Sequence, residues 1–357
     1  MRKIKVRLSN SSYEIRIGPG LLMQTGHWLK ELGFGDKLVI ISDTMVKSLY
    51  GDVLRQSLIG EGFATNLLEI PEGEEQKSLQ TASRLYNELS NFYAERTTPI
   101  LALGGGVIGD LSGFVAATYL RGMPLVQMPT TLLAQVDSSI GGKVAVNHGQ
   151  LKNKIGTFYQ PSLVVSDITA LRSLSIRGFS NGLAEAIKSA VVWDREFFAY
   201  LEENLEKIKV LGDEEVEEVV FKSAKIKVEI VEKDERDSGL RNILNYGHTI
   251  GHAIETVSGF KVGHGEAIAV GMLAAARISN KMGIVDKSEL MRLESVVERA
   301  GLPIGMPGLK AEEVIQTIRH DKKTLKGRTR FVLPKAIGDV FITDEVSPSL
   351  IESVLGD

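Results

Sequence analysis

The sequence predicts two domains of different texture. An α/β domain built on a parallel, doubly wound sheet occupies residues 1–170, a helical domain occupies 171–357, and the ligand is expected in the interdomain cleft. Three observations predict this. The first half alternates short β-rich apolar runs with helical stretches, as βαβ units do. The run Lys37–Asp43 is apolar without alternation, as in a strand covered on both faces. Beyond residue 170 long helical patterns with Glu/Lys faces take over.

Taken in order, Lys3–Arg7 and Tyr13–Ile17 alternate around Asn10-Ser-Ser and read as a hairpin. Lys37–Asp43 is the first buried strand and Thr65–Ile70 a second, while Ser78–Phe92 carries helical periodicity. Pro99–Gly104 and Leu125–Met128 read as two more strands with a glycine-started helix between them, and Ser162–Ser166 as another. In the second half, Gly182–Val192, Glu196–Val210, Asp213–Lys233, Gly247–Thr256, Glu266–Lys281 and Lys287–Ala300 read as helices. Their charged faces are read as solvated surface.

The chain of 357 residues is long enough for two cores, and 43% apolar with 24% charged residues is ordinary for a globular protein. A formal charge of −3 predicts no bulk attraction to nucleic acid or membrane, so an anionic ligand must be held by local clusters. With no cysteine, disulfides, thiolate catalysis and Cys-ligated zinc are excluded. The N-terminus lacks the apolar core of a signal peptide, and no apolar run reaches the roughly eighteen residues of a membrane span. The expectation is a cytoplasmic protein.

Three of the six histidines fall between positions 248 and 264. His248 and His252 are four apart in a helical stretch, so their rings share a face, and His264 follows a short glycine-bearing loop. Converging imidazoles are what a divalent cation needs; a capping or core His pair is the alternative. Gly104-Gly-Gly106-Val-Ile-Gly109-Asp110 follows a strand and contains G-x-G-x-x-G, in which glycines admit a pyrophosphate to the backbone and to a helix N-terminus. It lies near residue 100, not in the first βα turn, which argues for a nucleotide but against a standard Rossmann arrangement; a tight glycine turn without a ligand is the alternative. Asp43, ending an earlier strand, is the ribose candidate, with helix capping as its alternative role.

Several motifs occur in order: Pro71-Glu-Gly-Glu74-Glu-Gln-Lys77-Ser, the glycine loop, Pro129-Thr130-Thr131 through Asp137 to Gly-Gly-Lys143, Lys152-Asn153-Lys-Ile-Gly, Gly182-Leu-Ala-Glu185-Ala-Ile-Lys188, and Gly239-Leu-Arg241-Asn-Ile-Leu-Asn245-Tyr-Gly-His248. Together, over essentially the whole chain, they resemble the 3-dehydroquinate synthase family. The resemblance implies a Rossmann-like N-terminal domain, an all-α C-terminal domain and a homodimer. It implies a phosphate-eliminating lyase of the shikimate pathway that uses NAD with Zn2+ or Co2+. The implied substrate is an anionic sugar phosphate, 3-deoxy-D-arabino-heptulosonate 7-phosphate. Transient oxidation, phosphate elimination, re-reduction and an intramolecular aldol would convert it to 3-dehydroquinate.

By resemblance the metal ligands are Glu185, His248 and His264. This corrects the spacing argument, which pairs His248 with His252, whereas the family pattern gives His252 to the substrate. Cofactor contacts fall to Asp43, Glu74, Lys77, Gly105, Gly106, Asp110, Thr130 and Thr131. Arg241 and Lys227 would hold the substrate carboxylate. Lys152, Asn153, Asn245, His252 and one of Lys322 or Lys323 would hold the phosphate. Lys143 and Lys188 match further basic positions, Asp137 lies by the reacting hydroxyls, and Arg121 reaches across the dimer.

The chain departs from the family's Leu-Pro-x-Arg-Glu at Leu174-Ser-Ile-Arg177-Gly178, and Tyr246 stands where Phe is common. Two rival readings share parts of the pattern. A secondary-metabolite sugar-phosphate cyclase uses the same scaffold, but Arg241, Asn245 and Lys227 together favour the dehydroquinate reaction. A metal-dependent polyol dehydrogenase has no use for so many cations.

Overall fold

The computed structural model describes residues 1–9, 11–149, 151–306, 308–324 and 329–356, with backbone alone for 320–324. By packing, the chain divides into two compact units. One is Met1–Leu174 with Val216–Glu232; the other is Ser175–Glu215 with Lys233–Asp357.

The first unit contains strands β1 (Arg2–Arg7), β2 (Ser12–Gly18), β3 (Lys37–Asp43), β4 (Ala64–Ile70), β5 (Ile100–Gly104), β6 (Leu125–Pro129), β7 (Lys143–His148), β8 (Leu151–Phe158) and β9 (Leu163–Asp167). Its helices are α1 (Thr25–Glu31), α2 (Thr44–Val46), α3 (Asp52–Gly60), α4 (Leu79–Asn91) and α5 (Gly106–Thr118). Seven strands form one sheet in the order β1-β2-β9-β6-β5-β3-β4. The β1–β2 hairpin is antiparallel, and the pairings from β2 across to β4 are parallel.

Alternate residues of β3 feed two cores. Leu38 and Ile40 pack with Trp28 and Leu29 of α1 and with Leu54 and Leu58 of α3. Val39 and Ile41 pack with Leu85 and Leu89 of α4 and with Leu111 and Val115 of α5. Both faces of the strand are covered, which is why its sequence shows no polar alternation.

β7 and β8 form a separate antiparallel ribbon that the sequence reading passed over. Every described position of β8 is exposed or half-buried, so it carries no apolar alternation to read. The ribbon is tied to the segment before α4 by Asn147, whose N–H donates to Lys77 O at 2.8 Å.

The second unit holds α6 (Ile176–Trp193), α7 (Arg195–Lys209), the ends of α8 (Asp213–Lys233), α9 (His248–Val257), α10 (His264–Lys281), α11 (Lys287–Arg299), α12 (Ala311–Thr324) and α13 (Pro348–Leu355). α10 is buried all along Ala267–Ala276, as a helix apolar on every side must be. α9, α6, α11 and α13 pack around it. All six helices predicted for this half form, and an antiparallel ribbon of β10 (Phe331–Ala336) and β11 (Asp339–Thr343) is added to them.

The sequence reading placed all of 171–357 in one domain, whereas the α8 stretch Val216–Glu232 groups with the first unit. Long-range contacts hold it there: Arg2 pairs with Glu218 and lies 3.3 Å over the Phe221 ring, and Lys227 bonds to Asp137. Helical periodicity carries no information about such partners. Among the described residues no helix is long and apolar enough to cross a membrane.

Candidate active site

In the first unit the winding of the sheet reverses beside β3, which has β4 on one side and β5 on the other. The carboxyl ends of strands at such a switch point are where open α/β sheets bind ligands. Asp43 ends β3 and Gly104 ends β5, so the ribose candidate and the glycine loop stand on neighbouring strands. That geometry accounts for a phosphate pattern near residue 100: it follows the strand across the switch point, not the first strand. Gly105 caps α5 and Gly106 is its first residue, leaving the first-turn N–H groups without intrahelical acceptors. Asp43 also performs the capping role weighed for it, accepting from Val46 N at 2.9 Å through Oδ1.

Other candidates of this unit fall into small clusters. Lys77, 5% exposed, bonds to Asp110 at 2.5 Å. Burial pushes the Asp110 carboxyl above its ordinary value, and Lys77 pulls it back. Glu74 accepts from Asn147 Nδ2 at 2.9 Å, and Asn147 Oδ1 accepts from Asn153 N at 2.9 Å. Thr131 Oγ1 accepts from Ala134 N, while the buried Thr130 hydroxyl has no hydrogen-bond partner among the described residues.

Lys227 donates to both Asp137 Oδ1 and Asp137 O at 2.6 Å, so Asp137 is more than a surface carboxylate. Lys143 and Lys152 lie on the β7–β8 ribbon. Arg121 is exposed on a turn whose Leu120, Arg121 and Gly122 have φ of 50°, 64° and 124°.

The second unit brings three ligand candidates together from three helices. Glu185 lies on α6 and is 1% exposed; His248 opens α9 and His264 opens α10. One ligand atom from each lies within 4.8 Å of the others. Nε2 of His264 is 3.3 Å, and Nε2 of His248 3.8 Å, from Glu185 Oε1. His252 shares the His248 face, its ring 5.1 Å away, but it groups with Glu255 and His264 instead of with Glu185. The i,i+4 pair is therefore not the ligand set that converges on Glu185.

Lys188, 2% exposed, forms an ion pair with Glu185 Oε2, while Oε1 faces the two imidazoles. Burial opposes the Glu185 charge, but Lys188 and the two imidazoles hold its carboxyl well below the usual range. His248 Nδ1 lies 3.1 Å from Tyr246 O; a carbonyl only accepts, so Nδ1 carries the proton and Nε2 presents a lone pair. Burial, then Lys188, lower this histidine to about 3, leaving it neutral at pH 7. For His264 burial acts downward, but Glu185 and Glu255 outweigh it and raise the group to about 9. A buried carboxylate oxygen faced by the Nε2 atoms of two imidazoles is a donor set that a divalent cation satisfies.

Further supporting residues of this unit were not singled out from the sequence. Arg177, which survives in the altered Leu174–Gly178 stretch, donates from Nε and Nη2 to Glu266 at 2.7 and 2.6 Å. Glu266 in turn accepts from Gly263 N at 2.7 Å, fixing the start of α10 and with it His264. Asp234 accepts from the N–H groups of Ser238, Gly239 and Arg241 at 2.9, 2.8 and 2.9 Å and from the Ser238 hydroxyl. Burial raises the Asp234 carboxyl, but these donors prevail and lower it to about 2. They shape the loop bearing Arg241, which is 3% exposed and donates from Nη1 to Glu235 O at 3.0 Å. Asn245 is exposed four residues on. Lys322 and Lys323 fall in the last turn of α12, and their side chains lie outside the described residues.

A model of the 3-dehydroquinate synthase N-terminal region matches residues 67–181, and one of the C-terminal region matches 182–324. A 3-dehydroquinate synthase of Dehalococcoides mccartyi is 48% identical over 355 residues, 99% of each chain. Two solved structures share the fold. The 2-epi-5-epi-valiolone synthase of Streptomyces hygroscopicus subsp. jinggangensis, with NAD+ and Zn2+ bound, has a TM-score of 0.90 at 29% identity, covering 98% of this chain and 97% of that one. A 2-deoxy-scyllo-inosose synthase complexed with carbaglucose-6-phosphate, NAD+ and Co2+ has a TM-score of 0.91 at 26% identity, covering 99% of each.

Proposed function

The chain belongs to the 3-dehydroquinate synthase family, and from that membership we propose that it converts 3-deoxy-D-arabino-heptulosonate 7-phosphate to 3-dehydroquinate and phosphate. The observation that carries this reading is the full-length match to enzymes of that name, well above the likeness to the valiolone and inosose cyclases. The convergence of Glu185, His248 and His264 supports it. Buried cations in each unit, Lys227 in the first and Lys188 and Arg241 in the second, support an anionic substrate over a neutral polyol.

A Zn2+ or Co2+ ion would be held by Glu185, His248 and His264 and would supply Lewis acidity toward the substrate hydroxyls, and bound NAD would supply reversible hydride acceptance. The chain's own residues bind and orient. Asp43 accepts from the ribose, the Gly105–Gly106 turn offers N–H groups to the pyrophosphate, and Glu74, Lys77, Asp110, Thr130 and Thr131 complete the cofactor contacts. Arg241, its loop set by Asp234, presents a guanidinium to the substrate carboxylate together with Lys227.

Lys152, Asn153, Asn245, His252 and one of Lys322 or Lys323 hold the phosphate, and Lys143 and Lys188 add positive charge around the substrate. Asp137, oriented by Lys227, addresses the reacting hydroxyls. In this reading the enzyme is a cytoplasmic homodimer to which Arg121 contributes in trans.

The test is product analysis with catalytic NAD+. Stoichiometric phosphate and 3-dehydroquinate, no lasting NADH absorbance, and loss with chelator restored by Zn2+ or Co2+ are expected. Turnover of glucose 6-phosphate or sedoheptulose 7-phosphate instead would make the chain a secondary-metabolite cyclase. NADH accumulating on a polyol would make it a dehydrogenase.

A further inference from the structure

We propose that Glu255 is a positioning residue for the metal site: its carboxylate holds the Nδ1 proton of His264 and so presents Nε2 of that ring to Glu185 and His248. The role rests on reading Glu185, His248 and His264 as metal ligands. Glu255 lies on α9, three residues after His252, and is 6% exposed. Its Oε2 is 3.3 Å from His264 Nδ1, while Nε2 of the same ring is 3.3 Å from Glu185 Oε1. An imidazole that ligates through Nε2 keeps its one remaining proton on Nδ1, and a half-buried N–H facing a buried carboxylate takes it as acceptor. An ionised carboxylate is acceptor-only, so Glu255 selects this tautomer over the other.

His248 meets the same requirement differently, through Tyr246 O at 3.1 Å from Nδ1. The two imidazoles therefore present the same nitrogen, one backed by a neutral carbonyl and the other by a charge. A carboxylate behind the ring also strengthens it as a donor. His252, Glu255 and His264 themselves lie within 4.8 Å as a second group of potential ligands. For that group and the Glu185 group to be filled together, both nitrogens of His264 would have to lose their protons. One cation, with Glu255 behind its histidine, needs no such imidazolate.

The experiment uses the full chain, stripped of metal and titrated with Zn2+ against a chromophoric chelator. Wild type, Glu255→Ala, Glu255→Gln and His248→Ala are compared, and His264 ring nitrogens are read by NMR in the Zn2+-loaded wild type. Expected are one Zn2+ per wild-type chain, with the His264 proton on Nδ1. Zn2+ affinity should fall about 10–100-fold in Glu255→Ala. Glu255→Gln, whose amide oxygen still accepts from Nδ1, should recover part of it, and NAD+ affinity should be unchanged in both.

Wild-type Zn2+ affinity in Glu255→Ala, or a His264 proton on Nε2, would overturn the proposal. So would a second Zn2+ that Glu255→Ala loses while the first binds unchanged, because Glu255 would then be a ligand. If His248→Ala binds Zn2+ as wild type does, the ligand reading fails and Glu255 loses its role with it.

Discussion

A carboxylate that gathers three backbone N–H groups and a hydroxyl is stabilised in its charged form, and Asp234 does this for the loop bearing Arg241. Its folded pKa, about 2, is depressed from 3.8, so its contribution is present above the ordinary value and is lost as pH falls through about 2. Asp234→Asn should therefore be less stable than wild type at pH 7, and the gap in denaturant midpoint should close between pH 4 and 2. A gap independent of pH would assign the loss to packing.

Asp43 offers a second test at this scale, because Asn caps a helix as well as Asp but cannot supply a carboxylate to a ribose. Asp43→Asn should keep the wild-type melting temperature and lose about tenfold or more in NAD+ affinity, read by calorimetric titration. Unchanged affinity would leave Asp43 as a cap alone. Residue types with unusual chemistry, the clustered histidines and the glycine loop, were legible in the sequence. Asp234 and Glu255 were not, because an acidic residue reveals itself only through the donors that the fold brings to it.

At the scale of elements, the metal group depends on how closely α6, α9 and α10 approach. A Cβ on Gly265 would lie 2.1 Å from Asn181 O on α6, and one on Gly271 would lie 2.0 Å from Gly247 O at the start of α9. Gly271→Ala should push α9 off α10 at a cost of about 1–3 kcal/mol or more and reduce Zn2+ retention together with the melting temperature. A stable variant with full Zn2+ content would show that close packing is not what sets the ligand distances.

Helix periodicity placed His248 and His252 on one face, but which of them meets Glu185 is decided by packing across helices. Spacing alone therefore could not say which imidazole meets Glu185. The start of α6 was also hidden: the helix begins at Ile176 with Ser175 as its cap, while the periodic apolar pattern becomes readable only near Gly182.

At the scale of the whole molecule, the alternation of strands and helices was enough to read a parallel sheet, since each buried strand appears as an unbroken apolar run. The order of the strands was not legible, and with it the reason the phosphate loop follows β5. The family reading adds a homodimer whose Arg121 serves the neighbouring site. Mixing Arg121→Ala with His248→Ala, each inactive alone, should then restore roughly a quarter of the sites, because half the dimers are mixed and each has one intact site. No recovery on subunit exchange would remove Arg121 from the neighbouring site.

In the proposed function Glu185, His248 and His264 hold one catalytic divalent cation. Cobalt titration of metal-free enzyme, followed by visible absorption and phosphate release together, tests it most directly. One Co2+ per chain, with a low-symmetry d–d spectrum rising in step with activity and both lost in His248→Ala, is the predicted result. An unchanged spectrum and activity in His248→Ala would contradict it.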